Sequence, residues 1–173
     1  ADVYAKRLAA KPLVYGQPIM TAFGLTSGTV APPGSADLAV FARVVSCWMA
    51  AGIAEKAFHD AFAVLKPGGV LGVEENRAAP GGVQDVLAAQ GYVQEAYVKR
   101  LAQEAGFVFD GASELNANRK DTKSHPFGVW TLPPWRMSAS KGKPDDPKFD
   151  HAKYDAIGES DRMTLRFRKP AGP

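Results

Sequence analysis

Cysteine and histidine are scarce in this sequence. Its 173 residues include a single cysteine, Cys47, and three histidines. One thiol excludes a disulfide framework within the chain, and the scattered histidines do not have the spacing of metal ligands. No apolar run reaches the ~18 residues that a membrane-spanning helix needs. Hydrophobic residues make up 46% of the chain, which is enough to form the core of one ordinary domain. Charged residues make up 23%, a composition that is not typical of a disordered chain.

Charge is unevenly distributed along the chain. Residues 1–118 hold nine basic and eleven acidic residues, whereas residues 119–173 hold twelve basic and seven acidic residues. A basic segment can attract nucleic acid. Over residues 141–155, however, the two signs alternate, which is typical of a solvated, loop-rich segment. We therefore expect neither a nucleic-acid partner nor a membrane partner.

Hydrophobic periodicity predicts alternating strands and helices. The predicted strands cover residues 13–23, 36–44, 70–74, 107–115 and 163–169. The predicted helices cover residues 2–10, 54–65, 84–90 and 93–105. The run over 36–44 is almost continuously apolar, which is typical of a strand that is buried on both faces.

A proline–glycine–glycine turn joins the second predicted helix to the next strand. Pro67 cannot continue a helix, and Gly68 and Gly69 supply positive φ, so we expect the helix to end at this turn. Strand, helix and strand in this order form a βαβ unit. Such a unit implies a right-handed crossover and a parallel sheet.

Four segments resemble consecutive parts of one enzyme family. Residues 65–71, Leu-Lys-Pro-Gly-Gly-Val-Leu, resemble the turn before the fifth strand of class I S-adenosylmethionine-dependent methyltransferases. Residues 37–40 stand where the fourth strand of that family begins, and Ala105-Gly106-Phe107 stands before its sixth. Residues 162–170 look like the seventh strand, which in this family runs antiparallel beside the sixth.

The chain also resembles a group of bacterial predicted methyltransferases over most of residues 30–170. The matching stretches are residues 113–118, 120–123, 125–126, 128–134 and 156–167. The resemblance implies an α/β fold with a Rossmann-like, mostly parallel sheet and an antiparallel last strand, lacking the first two strands. Residues 1–173 are then a single partial methyltransferase-like domain with an insertion over 116–161. That insertion has little periodicity, and a loop of such length is usually functional or disordered.

The resemblance is incomplete at the positions that bind ligands in such folds. No Gly-x-Gly-like loop follows an N-terminal strand, although the family binds its cofactor there. Where the group tends to carry Asn-x-His-Asn-Trp, this chain has residues 44–48, Val-Val-Ser-Cys-Trp. Where the group tends to carry Glu-His-Arg, this chain has Glu75-Asn76-Arg77. Both histidines suited to proton transfer are therefore missing. Without a histidine partner, Cys47 is expected to be a small buried residue.

The resemblance and the residue types together nominate candidate site residues. S-adenosylmethionine is the implied cofactor, and its predicted contacts are Phe23, Arg43, Ser46 and Trp48. The predicted substrate and lid residues are Glu75, Asn76, Arg77, Tyr92, Asn116, Asn118, His125 and Trp130. Neither a catalytic residue nor a metal ligand is assigned.

Several of these candidates have alternative structural interpretations. Arg43 interrupts an apolar strand, so it either faces a ligand or forms an ion pair with Glu74 or Glu75. Packing or capping is favoured for Tyr92, and a solvated loop position is favoured for His125.

Two functions are consistent with these features. In the first, the chain is the C-terminal part of a methyltransferase that acts on a small molecule by positioning it. In the second, it is a non-catalytic methyltransferase-like module for interaction or assembly, whose exposed sheet edge pairs two copies as a homodimer. The low cysteine content favours the cytoplasm. Because the chain begins at Ala1 rather than Met, we also expect a missing N-terminus, which would hide any signal peptide.

Overall fold

The computed structural model describes residues 2–172. Its strands are β1 (Ala36–Ala42), β2 (Leu65–Asn76), β3 (Val108–Ser113) and β4 (Arg162–Arg168). They form one sheet in the order β1-β2-β4-β3. β1 runs parallel to β2, and β4 runs antiparallel to both β2 and β3. The expected mostly parallel sheet with an antiparallel last strand is therefore confirmed.

Short helices flank the sheet. The described residues form α1 (Asp2–Ala9), α2 (Pro12–Tyr15), α3 (Val45–Ala50), α4 (Ala54–Val64), α5 (Glu95–Glu104) and α6 (His151–Asp155). A 3-10 helix covers Gly128–Thr131. None of the helices within residues 2–172 is long and apolar enough to cross a membrane.

One face of the sheet carries the hydrophobic core. The apolar stripe of α4 buries Phe58, and α5 buries Leu101. These side chains join Leu71 and Val73 of β2 and Phe167 of β4 in one buried cluster. The periodic stripe that predicted α4 is thus the surface that holds this helix on the sheet.

The opposite face of β1 is exposed. Leu38 and Val40 are 60% and 62% exposed, whereas Phe41, which points to the core, is 8% exposed. Along this edge an open apolar groove of about 370 Å³ runs beside Phe23 and Trp48. The prediction that residues 36–44 are buried on both faces is wrong, because the described chain leaves one face of β1 uncovered.

Three local predictions fail for identifiable reasons. Residues 13–23 form no strand, because α2 starts with Pro12, which suits the first turn of a helix. Residues 84–90 form no helix, because the Asp85 carboxylate accepts the N–H groups of Leu87 and Ala89 in a turn. The turn at Pro67 does not end α4, which already stops at Val64, since β2 begins at Leu65.

The segment 116–161 forms most of the connection between β3 and β4. It contains the 3-10 helix and α6 and is otherwise irregular. Its N-terminal part is tied to the last strand, because the backbone N–H of Arg162 donates to the carbonyl oxygen of Asn116 at 3.1 Å. The segment 116–161, which we call the lid, thereby lies over the carboxyl end of β2 and the start of β4.

Candidate functional site

A cleft lies at the carboxyl ends of β1 and β2. Because these strands are parallel, their ends meet at the same edge of the sheet, where ligands bind in open α/β folds. The cleft has a volume of about 200 Å³. Its lining comes from the ends of both strands, from α3 and from the segment 116–161: Ala42, Arg43, Ser46, Cys47, Asn76, Val129, Trp130, Pro133, Pro134, Trp135 and Ser160.

Arg43 provides the cationic group of the cleft. It directly follows β1 with a left-handed backbone, φ 53°, and its N–H donates to the carbonyl oxygen of Glu74 at 2.7 Å. Glu74 pairs instead with Arg162, whose Nε lies 2.8 Å from Oε1. Within residues 2–172 the guanidinium of Arg43 forms no ion pair. The ion pair expected with Glu74 or Glu75 is therefore not formed, and a ligand contact of Arg43 stays a prediction.

Glu75 lies under the cleft rather than in it. Its side chain is fully buried and accepts the backbone N–H groups of Ser46, at 3.1 Å, and of Asn76, at 2.8 Å. Burial raises the pKa of Glu75, although these hydrogen bonds and the charge of Arg43 act in the opposite direction. The carboxyl group thus fixes the start of α3 against the end of β2.

Asn76 and Ser160 form the polar floor of the cleft. The Asn76 Nδ2 donates to Oε1 of Glu75 at 3.1 Å and to the carbonyl oxygen of Gly91 at 3.3 Å. Its Oδ1 accepts the hydroxyl of Ser160 at 2.6 Å. Because the hydroxyl hydrogen is used in this bond, the Ser160 oxygen keeps lone pairs with which it can accept a hydrogen bond.

The lid wall depends on two glycines that allow very close packing. A Cβ on Gly128 would lie 2.3 Å from the carbonyl oxygen of Gln90, and a Cβ on Gly91 would lie 2.4 Å from Cγ2 of Val129. The N–H of Val129 donates to the same Gln90 oxygen at 3.0 Å. This contact seats the 3-10 helix and places Trp130 over the cleft.

A buried polar cluster anchors the lid segment from below. Asp121 accepts the hydroxyl of Tyr92 at 3.0 Å and lies 2.8 Å from Nε2 of His125. Burial and the charge of Asp121 raise the pKa of Tyr92. The expectation of a solvated His125 is wrong, because this side chain is held in the cluster and is 8% exposed. Packing, the favoured interpretation of Tyr92, agrees with these contacts.

A second set of contacts joins the lid to the sheet through Asp161. Its carboxylate accepts Arg77 Nη2 at 2.9 Å and the N–H of Asn118 at 2.9 Å, and it lies 3.0 Å from Nζ of Lys123. Burial acts to raise the pKa of Asp161, but these hydrogen bonds lower it to about 2. The pKa of Arg77 is raised by its bonds to Glu114 and Asp161.

The structure brings together part of the predicted site. Of the predicted cofactor contacts, Arg43 and Ser46 line the cleft, whereas Phe23 and Trp48 pack edge-on at 5.4 Å in the apolar groove along β1. Of the predicted substrate and lid residues, only Asn76 and Trp130 line it. Of the others, Glu75 holds the start of α3, and the rest form contacts that anchor the lid: Arg77, Tyr92, Asn116, Asn118 and His125. Among these, Asn116 donates its Nδ2 hydrogen to Oγ1 of Thr164 at 2.9 Å. All of these ligand assignments stay predictions.

Seven of the cleft-lining residues were not predicted from the sequence, and three of these carry an aromatic or polar side chain. Trp135 is 68% exposed at the cleft, and its proximity to Trp130 in the sequence was the signal that could have found it. Ser160 gave no signal of its own. Cys47 was expected to be buried but is exposed, because α3 turns Val45 and Met49 toward the core instead.

Comparison with known proteins identifies the fold. No family model matches the sequence, and no curated protein matches it. Among solved structures, the [4+2]-cyclase SpnF superposes with a TM-score of 0.58 and 16% identity over 99% of this chain and 64% of its own. A putative sarcosine dimethylglycine methyltransferase from Galdieria sulphuraria superposes with a TM-score of 0.56 and 18% identity; the match covers 98% of this chain and 67% of the methyltransferase. The 1,6-didemethyltoxoflavin-N1-methyltransferase from Burkholderia thailandensis superposes with a TM-score of 0.51 and 10% identity; the match covers 94% of this chain and 56% of the Burkholderia enzyme.

This chain has the fold of class I S-adenosylmethionine-dependent methyltransferases. The sheet order, the antiparallel β4 and the cleft at the strand ends agree with that fold. The chain spans a little under two thirds of the length of SpnF and just over half of the Burkholderia enzyme.

The described residues do not fit the whole cofactor of this methyltransferase fold. The cleft, at about 200 Å³, is smaller than the roughly 300–1,000 Å³ of sites that enclose drug-sized ligands. The described residues place no strand beyond β1, and no glycine-rich loop follows a strand on that side. The cleft therefore suits a smaller molecule than S-adenosylmethionine.

Proposed function

We propose that this chain supplies the acceptor-binding part of an S-adenosylmethionine-dependent methyltransferase that acts on a small molecule. The observation that carries the proposal is the position of the cleft at the joined carboxyl ends of β1 and β2, in a sheet of the methyltransferase order. The cleft provides only part of the contacts that the cofactor needs, so we expect the chain to bind it weakly.

The size of the cleft supports a small acceptor. About 200 Å³ accommodates a single substituted ring. The Burkholderia neighbour supports the same class, since its structure holds 1,6-didemethyltoxoflavin and S-adenosylhomocysteine.

The residues of the cleft act by positioning. No histidine, lysine or carboxylate is among the described residues that line it, and the proposal assigns a general base to none of them. Trp130 and Trp135 shield the acceptor from water, and Arg43 and Ser160 orient it. Orientation and exclusion of water are sufficient contributions to methyl transfer.

A transfer assay tests the proposal. The chain is incubated with methyl-labelled S-adenosylmethionine at about 2 mM, since weak cofactor binding is expected, together with a cell extract separated into small molecules and macromolecules. We expect label in the small-molecule fraction, and less of it with Trp135→Ala, because this exposed side chain forms a cleft wall without supporting the core. Label only in the macromolecular fraction, or in neither fraction, contradicts the proposal.

A second candidate function has an observation of its own. The open edge of β1 exposes Leu38 and Val40 beside the apolar groove, which suits a non-catalytic module that pairs with another chain. Under this alternative, neither fraction is labelled. The charged double variant Leu38→Lys, Val40→Lys would then abolish association of the chain in analytical ultracentrifugation.

A further inference from the structure

We propose that the cleft binds a flat organic anion, namely an aromatic or heteroaromatic ring that carries one carboxylate. The inference deepens the proposed function, because this ligand would be the methyl acceptor, and it rests on that function for its biological role. Binding itself requires neither cofactor nor methyl transfer, so the inference can be tested separately.

The first argument is the charge at the mouth of the cleft. Arg43 is the only cationic residue among the described cleft-lining residues. The carboxylates around it have other partners: Glu74 and Glu159 both bind Arg162, and Glu75 is buried with its oxygens occupied by N–H groups. The guanidinium is therefore available for an anion from solution.

One guanidinium matches one carboxylate. The planar N–H groups of arginine pair with the two oxygens of a carboxylate in parallel hydrogen bonds. A phosphate carries more charge and usually collects several cationic or backbone donors. The lining offers only Arg43 as a cation, which favours the carboxylate.

The second argument is the backbone of Arg43. A left-handed conformation is unfavourable for a residue with a Cβ, yet Arg43 adopts φ 53° and is held there by its bond to the Glu74 carbonyl. Strain of this kind persists where the surrounding structure imposes it, and it is concentrated at ligand sites. Here it places the side chain at the cleft rather than along the sheet.

The third argument is the wall of tryptophans and prolines on one side of the cleft. Trp130 and Trp135 line the cleft together with Pro133 and Pro134. Trp135 leaves 68% of its surface exposed, although a large aromatic side chain is favoured against another apolar surface. A ring stacked on this wall would cover it.

The floor of the cleft adds a polar contact at a distinct point. Because Ser160 donates its hydroxyl to Asn76, its oxygen can accept a hydroxyl or N–H hydrogen from a ring substituent. Arg43, the tryptophan wall and Ser160 together describe a ring with a carboxylate toward Arg43 and a hydrogen-bond donor toward Ser160.

Fluorine NMR with small probes tests the inference on the intact chain. The probes are 4-fluorobenzoate, its neutral analogue 4-fluorobenzamide, and trifluoroacetate, an anion without a ring. We expect 4-fluorobenzoate to bind with a millimolar or lower Kd. 4-Fluorobenzamide should bind about fivefold more weakly, as loss of one solvent-accessible ion pair predicts. Trifluoroacetate should also bind more weakly, because it lacks the ring that would stack on the tryptophans.

Two matched variants separate Arg43 from general charge effects. Arg43→Gln should bind 4-fluorobenzoate no better than 4-fluorobenzamide. Arg136→Gln is the control, because Arg136 also has φ 53° but pairs with Asp155 outside the cleft, and it should bind as the wild type does. If Arg43→Gln does not fold, Arg43→Gly removes the same charge and suits the left-handed backbone.

The inference is overturned by equal binding of benzoate and benzamide, by wild-type binding in both Arg43 variants, or by absence of 4-fluorobenzoate binding up to about 10 mM. Methyl transfer without benzoate binding would refute this inference alone. Benzoate binding through Arg43 without methyl transfer would refute the proposed function alone.

Discussion

At the scale of single residues, Asp161 is a carboxylate that ties the segment 116–161 to the end of β2. It joins Arg77 next to β2, Lys123 in the lid and the backbone of Asn118. Because these partners outweigh the effect of burial, its pKa falls from 3.8 to about 2. A carboxylate with a lowered pKa stabilises the fold above its unfolded pKa, and this stability is lost as the pH falls through the folded one.

We predict that Asp161→Asn lowers the free energy of unfolding at pH 7 by about 2 kcal/mol, the usual value of hydrogen bonds to a charged group. The difference from the wild type should shrink as the pH falls from 3.8 to about 2, because the wild-type carboxylate is then protonated. Urea denaturation at several pH values measures both effects.

The control for this variant is Asp37→Asn. Asp37 pairs with Lys66, and its side chain is 82% exposed, so this change should cost less than about 0.5 kcal/mol. A constant difference between Asp161→Asn and the wild type down to pH 2 would show that the carboxylate charge is not what holds the lid.

Residue identity predicted Arg43 as a site candidate but not Ser160. A charge within an apolar strand is conspicuous, since it needs a partner or a ligand. Serine is an ordinary loop residue, and its role arises only because the segment 116–161 brings it to Asn76. The prediction of a solvated His125 was wrong for the same reason, because its partner Asp121 cannot be inferred from a loop without periodicity.

At the scale of elements, the lid is seated by the contact of the 3-10 helix with residues 90–91. This contact exists because Gly128 has no Cβ and adopts φ 55°. A methyl group there would meet the Gln90 carbonyl, a backbone atom that cannot rotate away.

We predict that Gly128→Ala destabilises the fold by about 2–4 kcal/mol through strain and overpacking. Gly142→Ala is the control, because Gly142 also has positive φ, 84°, but no neighbour within 4 Å of the added atom, so it should cost only about 1 kcal/mol. Thermal unfolding and hydrogen exchange of the Val129 amide measure the difference. Equal costs for the two variants would contradict the tight seating of the lid.

Periodicity predicted those elements that bury an apolar stripe. α4, α5 and β4 were located within a few residues because their patterns match the core face directly. The prediction of a strand over 13–23 failed because most of its apolar residues are exposed: Leu13 and Ile19 are almost fully exposed, and only Phe23 packs against the core. A hydrophobic pattern predicts an element only when the chain supplies a surface to cover it.

At the scale of the whole molecule, the sheet is covered on one face and open at β1. The fold class could be predicted from the resemblance of four short segments, and the strand order agrees with it. The cleft could not be predicted, because its lining joins the end of β1, the end of β2 and two parts of the segment 116–161. Its geometry supports the acceptor side of a methyltransferase fold, whereas the described residues do not enclose a cofactor.

The central claim is that the described residues bind the acceptor but do not enclose the cofactor. A calorimetric titration of the intact chain tests this claim most directly. S-adenosylhomocysteine and 4-fluorobenzoate are titrated separately into the same preparation, so that benzoate binding shows that the cleft is formed. We predict that S-adenosylhomocysteine binds with a Kd no lower than about 1 mM, while 4-fluorobenzoate binds measurably. Micromolar binding of S-adenosylhomocysteine would contradict it, because the described residues would then hold the whole cofactor.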